Sequence, residues 1–183
     1  MTPTVGSLFS GIGGGDLGLE QAGWEIRWQV ENDEFCNKVL TTHWPGVTRY
    51  GDITTVDPAG LERVDLIVGG FPCQDLSVAG KRSSLYWDFV RIANALRPRW
   101  VLVENVPGLF SSNMGRDFGL VLEGLAKLGY GLAWRVLDSQ HFGVPQRRRR
   151  VFIIGHLGAP CPPEVLFEPE SLSGHPPKGR EAG

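Results

Sequence analysis

Short apolar runs alternate along the chain with stretches of helical spacing. Thr4 to Phe9, Glu25 to Val30, Val64 to Val68, Trp100 to Val103 and Val151 to Ile154 read as strands. Several are apolar throughout, as expected where both faces of a sheet are covered. Asp16 to Ala22, Glu34 to His43, Leu85 to Leu96 and Phe118 to Leu128 carry apolar residues at helical intervals. In the third of these, Leu85, Phe89, Ile92, Ala93 and Leu96 share a face, and Pro98 is the expected stop. The alternation predicts an α/β fold built on an open, doubly wound, mostly parallel Rossmann-like sheet. After Gly155 the pattern dissolves. Residues 156–183 hold six prolines and are expected to form an extended or disordered tail behind one domain spanning 1–155.

Composition narrows the class. A chain of 183 residues, 42% of them hydrophobic, can bury one core. Cys36, Cys73 and Cys161 are odd in number and form no CxxC pair, so neither a disulfide framework nor a metal site is expected. No segment is apolar enough for long enough to span a bilayer, and a soluble, cytoplasmic protein is expected. The net charge of -2 conceals an asymmetry: residues 1–80 carry 4 Lys and Arg against 11 Asp and Glu, whereas residues 81–150 carry 12 against 5. A basic middle segment of this kind can meet phosphates.

In an open α/β sheet, ligands collect at the carboxyl ends of the strands. The first strand ends in a glycine turn, the second in Glu31, the fourth in Phe71-Pro72-Cys73-Gln74 and the fifth in Glu104-Asn105. Gly13-x-Gly15-x-x-Gly18 fits a dinucleotide fingerprint, and Glu31 stands where an acid would hold a ribose diol. On these residues alone NAD, FAD and S-adenosylmethionine all remain open. Asp52, following a short third strand, could accept from an adenine amino group with Ile53 against the ring, or could cap a turn. Cys73 lies in a turn beyond a buried strand, where backbone amides and a nearby cation can make a thiol nucleophilic. Glu104 reaches the same edge, partly buried and able to share a proton. A thiolate beside such a carboxyl suits addition to an electron-poor heteroaromatic ring.

Taken together, Phe9-Ser10-Gly11-Ile12-Gly13-Gly14, Glu31, Asp52-Ile53, Gly70-Phe71-Pro72-Cys73-Gln74, Glu104-Asn105-Val106 and Gln146-Arg147-Arg148-Arg149-Arg150 occur in the order found in DNA cytosine 5-methyltransferases. The chain resembles that family from about Val5 to Gly155. The resemblance implies duplex DNA with a flipped cytosine as substrate and S-adenosylmethionine as methyl donor. It further implies that Cys73 attacks carbon 6 of the ring while Glu104 holds ring nitrogen 3 and the exocyclic amine. Gln74, Asn105, Arg148 and Arg150 would complete the catalytic set. Phe9, Ser10, Gly11, Ile12, Gly13, Gly14, Glu31, Asn32, Asp52, Ile53, Pro72 and Leu85 would contact the cofactor, and Ser77, Lys81 and Arg82 the DNA. Arg147 and Arg149, alternating with the other pair along a strand, are expected to point elsewhere.

Three departures accompany the match. The loop after Lys81 is short, Asn32 replaces a residue that is often bulky, and the target-recognition domain and final segment of the family have no counterpart after the arginine strand. One subunit of a split methyltransferase, a compact enzyme acting alone, and a non-catalytic cofactor- or DNA-binding remnant are the readings this leaves.

Overall fold

A computed structural model of the chain describes residues 1–72 and 85–166. Seven strands form one sheet: β1 (Thr4–Leu8), β2 (Glu25–Val30), β3 (Thr48–Tyr50), β4 (Leu66–Gly69), β5 (Trp100–Asn105), β6 (Tyr130–Asp138) and β7 (Arg149–Leu157). Their spatial order is β3-β2-β1-β4-β5-β7-β6. β7 pairs antiparallel with both neighbours, and the remaining pairs are parallel. The strand order reverses between β1 and β4, so the crevice for a ligand opens beyond Leu8 and Gly69. Because β7 runs backwards, its start, rather than its end, joins that edge. This brings Arg150 beside Glu104.

Among the described residues there are four α-helices: α1 (Gly14–Gln21), α2 (Glu34–His43), α3 (Leu85–Leu96) and α4 (Arg116–Lys127). The start of α2 is set by Asp33, whose side chain accepts from the Cys36 amide as an N-cap. α3 ends at Leu96, as expected from the spacing and from Pro98. Arg97 turns into the left-handed region at φ 52° and its guanidinium donates to Leu128 O. β6 was not anticipated from the sequence. It is an edge strand, half-buried along most of its length, so its apolar residues do not form a continuous run. β7 extends to Leu157, and the chain then crosses back over β6, where Arg135 donates to Leu166 O. The tail expected from residue 156 is therefore described as far as Leu166, and residues 167–183 lie outside the described residues.

The two faces of the sheet are covered unequally. On one, α3 and α4 bury Tyr86, Phe89, Ile92, Leu96, Val121 and Leu125 against Ile67, Val101, Val103 and Ile153. Tyr86 is fully buried and donates its hydroxyl to Val121 O, which locks the two helices together. On the other face Val5, Ile26, Leu66 and Val68 form a small cluster, flanked by half-buried Leu19, Trp24, Trp100 and Leu102. The only buried residue of α1 is Asp16, and Ile12 ahead of it is 58% exposed. Between α1 and β7 a furrow of about 760 Å³ runs up this face to Glu104 and Arg148.

Candidate active site and cofactor cleft

The turn after β1 is built from left-handed backbone. Phe9 adopts φ 56°, Gly11 φ 55° and Gly13 φ 85°. For Phe9 this conformation is strained, and such strain persists only where the surroundings impose it. Glu31 imposes part of it: one carboxylate oxygen accepts from Gly11 N at 2.7 Å and the other from Asp33 N at 2.8 Å. At Gly13 a side chain is impossible, since a Cβ would lie 2.3 Å from the Trp44 ring. Beneath the turn is a buried polar chain in which Gln29 Nε2 donates to Asp16 Oδ2 at 2.7 Å and Ser10 Oγ to Ser7 Oγ at 2.9 Å. Burial pushes the Asp16 carboxyl above its usual range, against the lowering effect of hydrogen bonds from Ser7 and Gln29.

Phe9, Glu31, Asn32, Asp52, Ile53, Pro72 and Leu85 line one cleft of about 330 Å³ at the ends of β1, β2 and β3. Asp52 caps the short turn Ile53–Thr55 by accepting from Thr54 N at 2.9 Å, and that backbone bond draws its carboxyl below the usual range. Ser10, Ile12 and Gly14 line the furrow instead, on the other side of the turn. Gly13 lines neither, being packed behind the turn against Trp44 and Leu40. Gly15 and Gly18 have open space where a Cβ would stand, and both border the furrow. The close helix–strand packing that the fingerprint assigns to its last glycine is not found at Gly18, whereas open space at Gly15 is what close approach of a ligand requires.

Across the switch point Glu104 occupies the end of β5 with its side chain 34% exposed. Its Oε1 lies 2.8 Å from Arg150 Nε and 3.9 Å from Arg148 Nη2. Its Oε2 would stand 3.1 Å from a Cβ on Gly70, so the missing side chain there lets the carboxylate approach the segment leading to Cys73. Asn105 is buried. It donates to Phe71 O at 3.0 Å and accepts from Val106 N, holding the backbone ahead of Pro72. A second pocket of about 340 Å³ is lined by Glu104, Arg148, Arg150, Leu137, Phe142 and Phe152. Glu104, Arg148 and Phe152 also border the furrow, so the two spaces meet at the carboxylate. Arg147 and Arg149 are exposed.

Cys73, Gln74, Ser77, Lys81 and Arg82 lie outside the described residues. Among the described thiols, burial pushes both Cys36 and Cys161 up, so neither is an activated nucleophile. Several lining residues were not found in the sequence because β6 was not. Asp138 ends that strand and closes the β6–β7 connection, accepting from Arg148 N at 3.1 Å and from the side chain of Gln140 at 3.0 Å. The apolar alternation of Leu132, Trp134 and Val136 was the available signal. No cluster of His, Cys, Asp and Glu among the described residues could hold a metal ion, and no helix among them is long and apolar enough to cross a membrane.

A mostly parallel seven-stranded sheet with a glycine turn and acids at its carboxyl edge is the architecture of S-adenosylmethionine-dependent methyltransferases. The same fold is found in a DNMT2 variant of Spodoptera frugiperda, with a TM-score of 0.75 and 23% identity over 91% of this chain and 53% of that one. The chain belongs to the C-5 cytosine-specific DNA methylase family, which it matches over residues 4–166. It is 38% identical over 155 residues to the Type II methyltransferase M.NgoBI of Neisseria gonorrhoeae, covering 81% of this chain and 49% of the relative. To the Type II methyltransferase M2.BsuMI of Bacillus subtilis it is 40% identical over 174 residues, covering 89% and 44%. The chain spans about half the length of these curated relatives.

Proposed function

We propose that this chain carries the catalytic half of a methyltransferase acting on carbon 5 of cytosine in DNA. The observation that supports it best is the position of Glu104, with one oxygen on Arg150, the other against Gly70, and both the pocket and the furrow opening onto it. A flipped cytosine in the pocket of Arg148 and Arg150 would present its Watson–Crick edge to this carboxylate, which accepts from the exocyclic amine and shares a proton with ring nitrogen 3. Cys73, delivered by the segment that Asn105 holds, forms a bond from Sγ to carbon 6, and the electron pair of the 5,6 bond moves to carbon 5. After methylation, loss of the carbon 5 proton to a base re-forms the double bond and expels the thiolate. Arg148 and Arg150 neutralise charge around Glu104 and the target phosphate.

The cleft fits S-adenosylmethionine, which when bound supplies the methyl group. Each Glu31 oxygen accepts one backbone amide and keeps acceptor capacity for a ribose diol, while Ile53, Leu85 and Phe9 supply apolar walls for a purine. We further propose that target recognition, and the cover for the furrow, come from polypeptide outside these 183 residues. An α/β sheet is ordinarily covered on both faces, and among the described residues the half-buried Leu102 and Phe152 border an open furrow beside an exposed α1. Transfer of tritiated methyl groups to mixed duplex DNA, with and without the products of neighbouring genes, tests both parts. Bisulfite sequencing should place the label at cytosine. Efficient methylation confined to one short motif by the monomeric chain alone contradicts the need for outside recognition, and label incorporated at adenine contradicts the chemistry.

A further inference from the structure

The wall of the cofactor cleft at its β3 end has little structure of its own. Ile53–Thr55 is a single turn of 3-10 helix, held locally by the Asp52 cap, by Thr55 N and Oγ1, which donate to Asp52 O at 3.0 and 2.8 Å, and by one long bond from Val56 N to Ile53 O. These bonds shape the turn, and its tie to the rest of the fold comes from α3. Arg91 Nη2 donates to Ile53 O at 2.8 Å and Nη1 to Val56 O at 2.8 Å, so one guanidinium spans the first carbonyl of the turn and that of the residue capping its end. Its Nε donates back to Asp88 Oδ1 at 3.1 Å, one helical turn earlier. The planar fork is thereby spent on three fixed partners, a geometry that an ammonium cannot reproduce. Leu85, at the start of the same helix, lines the cleft opposite. Arg91 itself borders neither the cleft, the pocket nor the furrow.

Taking the cleft as the adenosyl site, we propose that Arg91, aligned by Asp88, is a positioning residue for purine recognition: it fixes the Asp52–Val56 turn so that the Asp52 carboxylate and the Ile53 side chain stay set against the adenine edge and face. Without the brace the turn keeps its local cap and loses its orientation. The cost then falls on whatever the turn reads, not on the whole ligand. Asp52 can accept from the amine of adenine but gains nothing from the oxygen that replaces it in hypoxanthine. Selectivity between the two bases therefore reports the turn, whereas general loosening weakens both ligands alike.

The test is calorimetric titration of the full chain with S-adenosylhomocysteine and with S-inosylhomocysteine, alongside Tm. Wild type is expected to prefer the adenine ligand. Arg91→Met should weaken S-adenosylhomocysteine by about tenfold, as for loss of charge-assisted hydrogen bonds, and change the inosine ligand by no more than about twofold. Arg91→Lys should lose selectivity as well, despite keeping the charge. Asp88→Asn, which leaves the fork in place but unaligned, should show a smaller loss of the same selectivity and serves if Arg91→Met does not fold. Wild-type selectivity in folded Arg91→Lys and Asp88→Asn overturns the proposal, as does an equal loss for both ligands. A wild-type chain that binds neither ligand overturns the adenosyl reading itself, before any variant is made.

Discussion

The two faces of the sheet divide stability from chemistry. On the face of α3 and α4, large side chains such as Phe89 and Ile92 are wholly buried, and the tyrosine hydroxyl between the helices is satisfied. Burial and desolvation hold the Tyr86 proton well above the usual range for a phenol, as expected in a dry core. On the opposite face the buried cluster is small, α1 is mostly exposed, and the furrow leads to an ion pair rather than to a core. One face is closed by packed helices. The other is open along the furrow among the described residues, so substitutions on the two should produce different signatures.

The sharpest contrast is at Glu104. Glu104→Gln keeps the size and the contact with Gly70 but removes the acid, and methyl transfer should fall by about 10²–10⁴ while S-adenosylhomocysteine affinity and Tm hold. A parallel fall in Tm would move Glu104 from the chemical face to the structural one. Phe89→Ala is the converse. A fully buried aromatic replaced by alanine should cost about 3–5 kcal/mol by denaturant titration, with activity lost only as the protein unfolds. Ile12→Asp, on the exposed rim of the furrow, should leave the stability of the chain within about 0.5 kcal/mol. It should nevertheless weaken a completing polypeptide by about tenfold in a binding titration, because an apolar contact becomes a buried charge.

The smallest effect belongs to Asp16, the buried residue of α1 on the open face. Its folded carboxyl is raised above the ordinary value of 3.8, so the folded state holds the proton over a pH range in which the unfolded chain has released it. The protonated carboxyl's contribution to stability is complete below that value and is lost as pH rises through the folded pKa. Asp16→Asn should therefore give a small rise in Tm at neutral pH that fades on acidification, read by calorimetry from pH 7 to pH 3.5. A Tm difference that grows on acidification would reverse the sign and mean the buried carboxylate is favoured.

Much of the site was legible because apolar runs deliver acids to one edge. Glu31 and Glu104 each follow a strand whose buried residues announce it, and the arginine run enters Val151-Phe152-Ile153. What stayed hidden depends on contacts between distant segments. Gly13 is glycine because of Trp44, which comes from the end of α2, and no local pattern shows that. Arg91 reads as an ordinary charge on an amphipathic helix until its two carbonyl partners, more than thirty residues away, are known. β6 and Asp138 escaped because an edge strand needs only half its residues apolar.

The central claim, that Cys73 attacks cytosine at the edge governed by Glu104, is tested most directly by trapping. A duplex with 5-fluorocytosine opposite an abasic position lowers the cost of flipping, so the outcome does not wait on a recognition domain. With S-adenosylmethionine present, fluorine cannot leave as a proton would, and the account predicts a denaturant-stable adduct that mass spectrometry maps to Cys73. Cys73→Ser should abolish it, and Glu104→Gln should slow its formation. An adduct that survives Cys73→Ser, or one that maps to Cys36 or Cys161, would contradict the account.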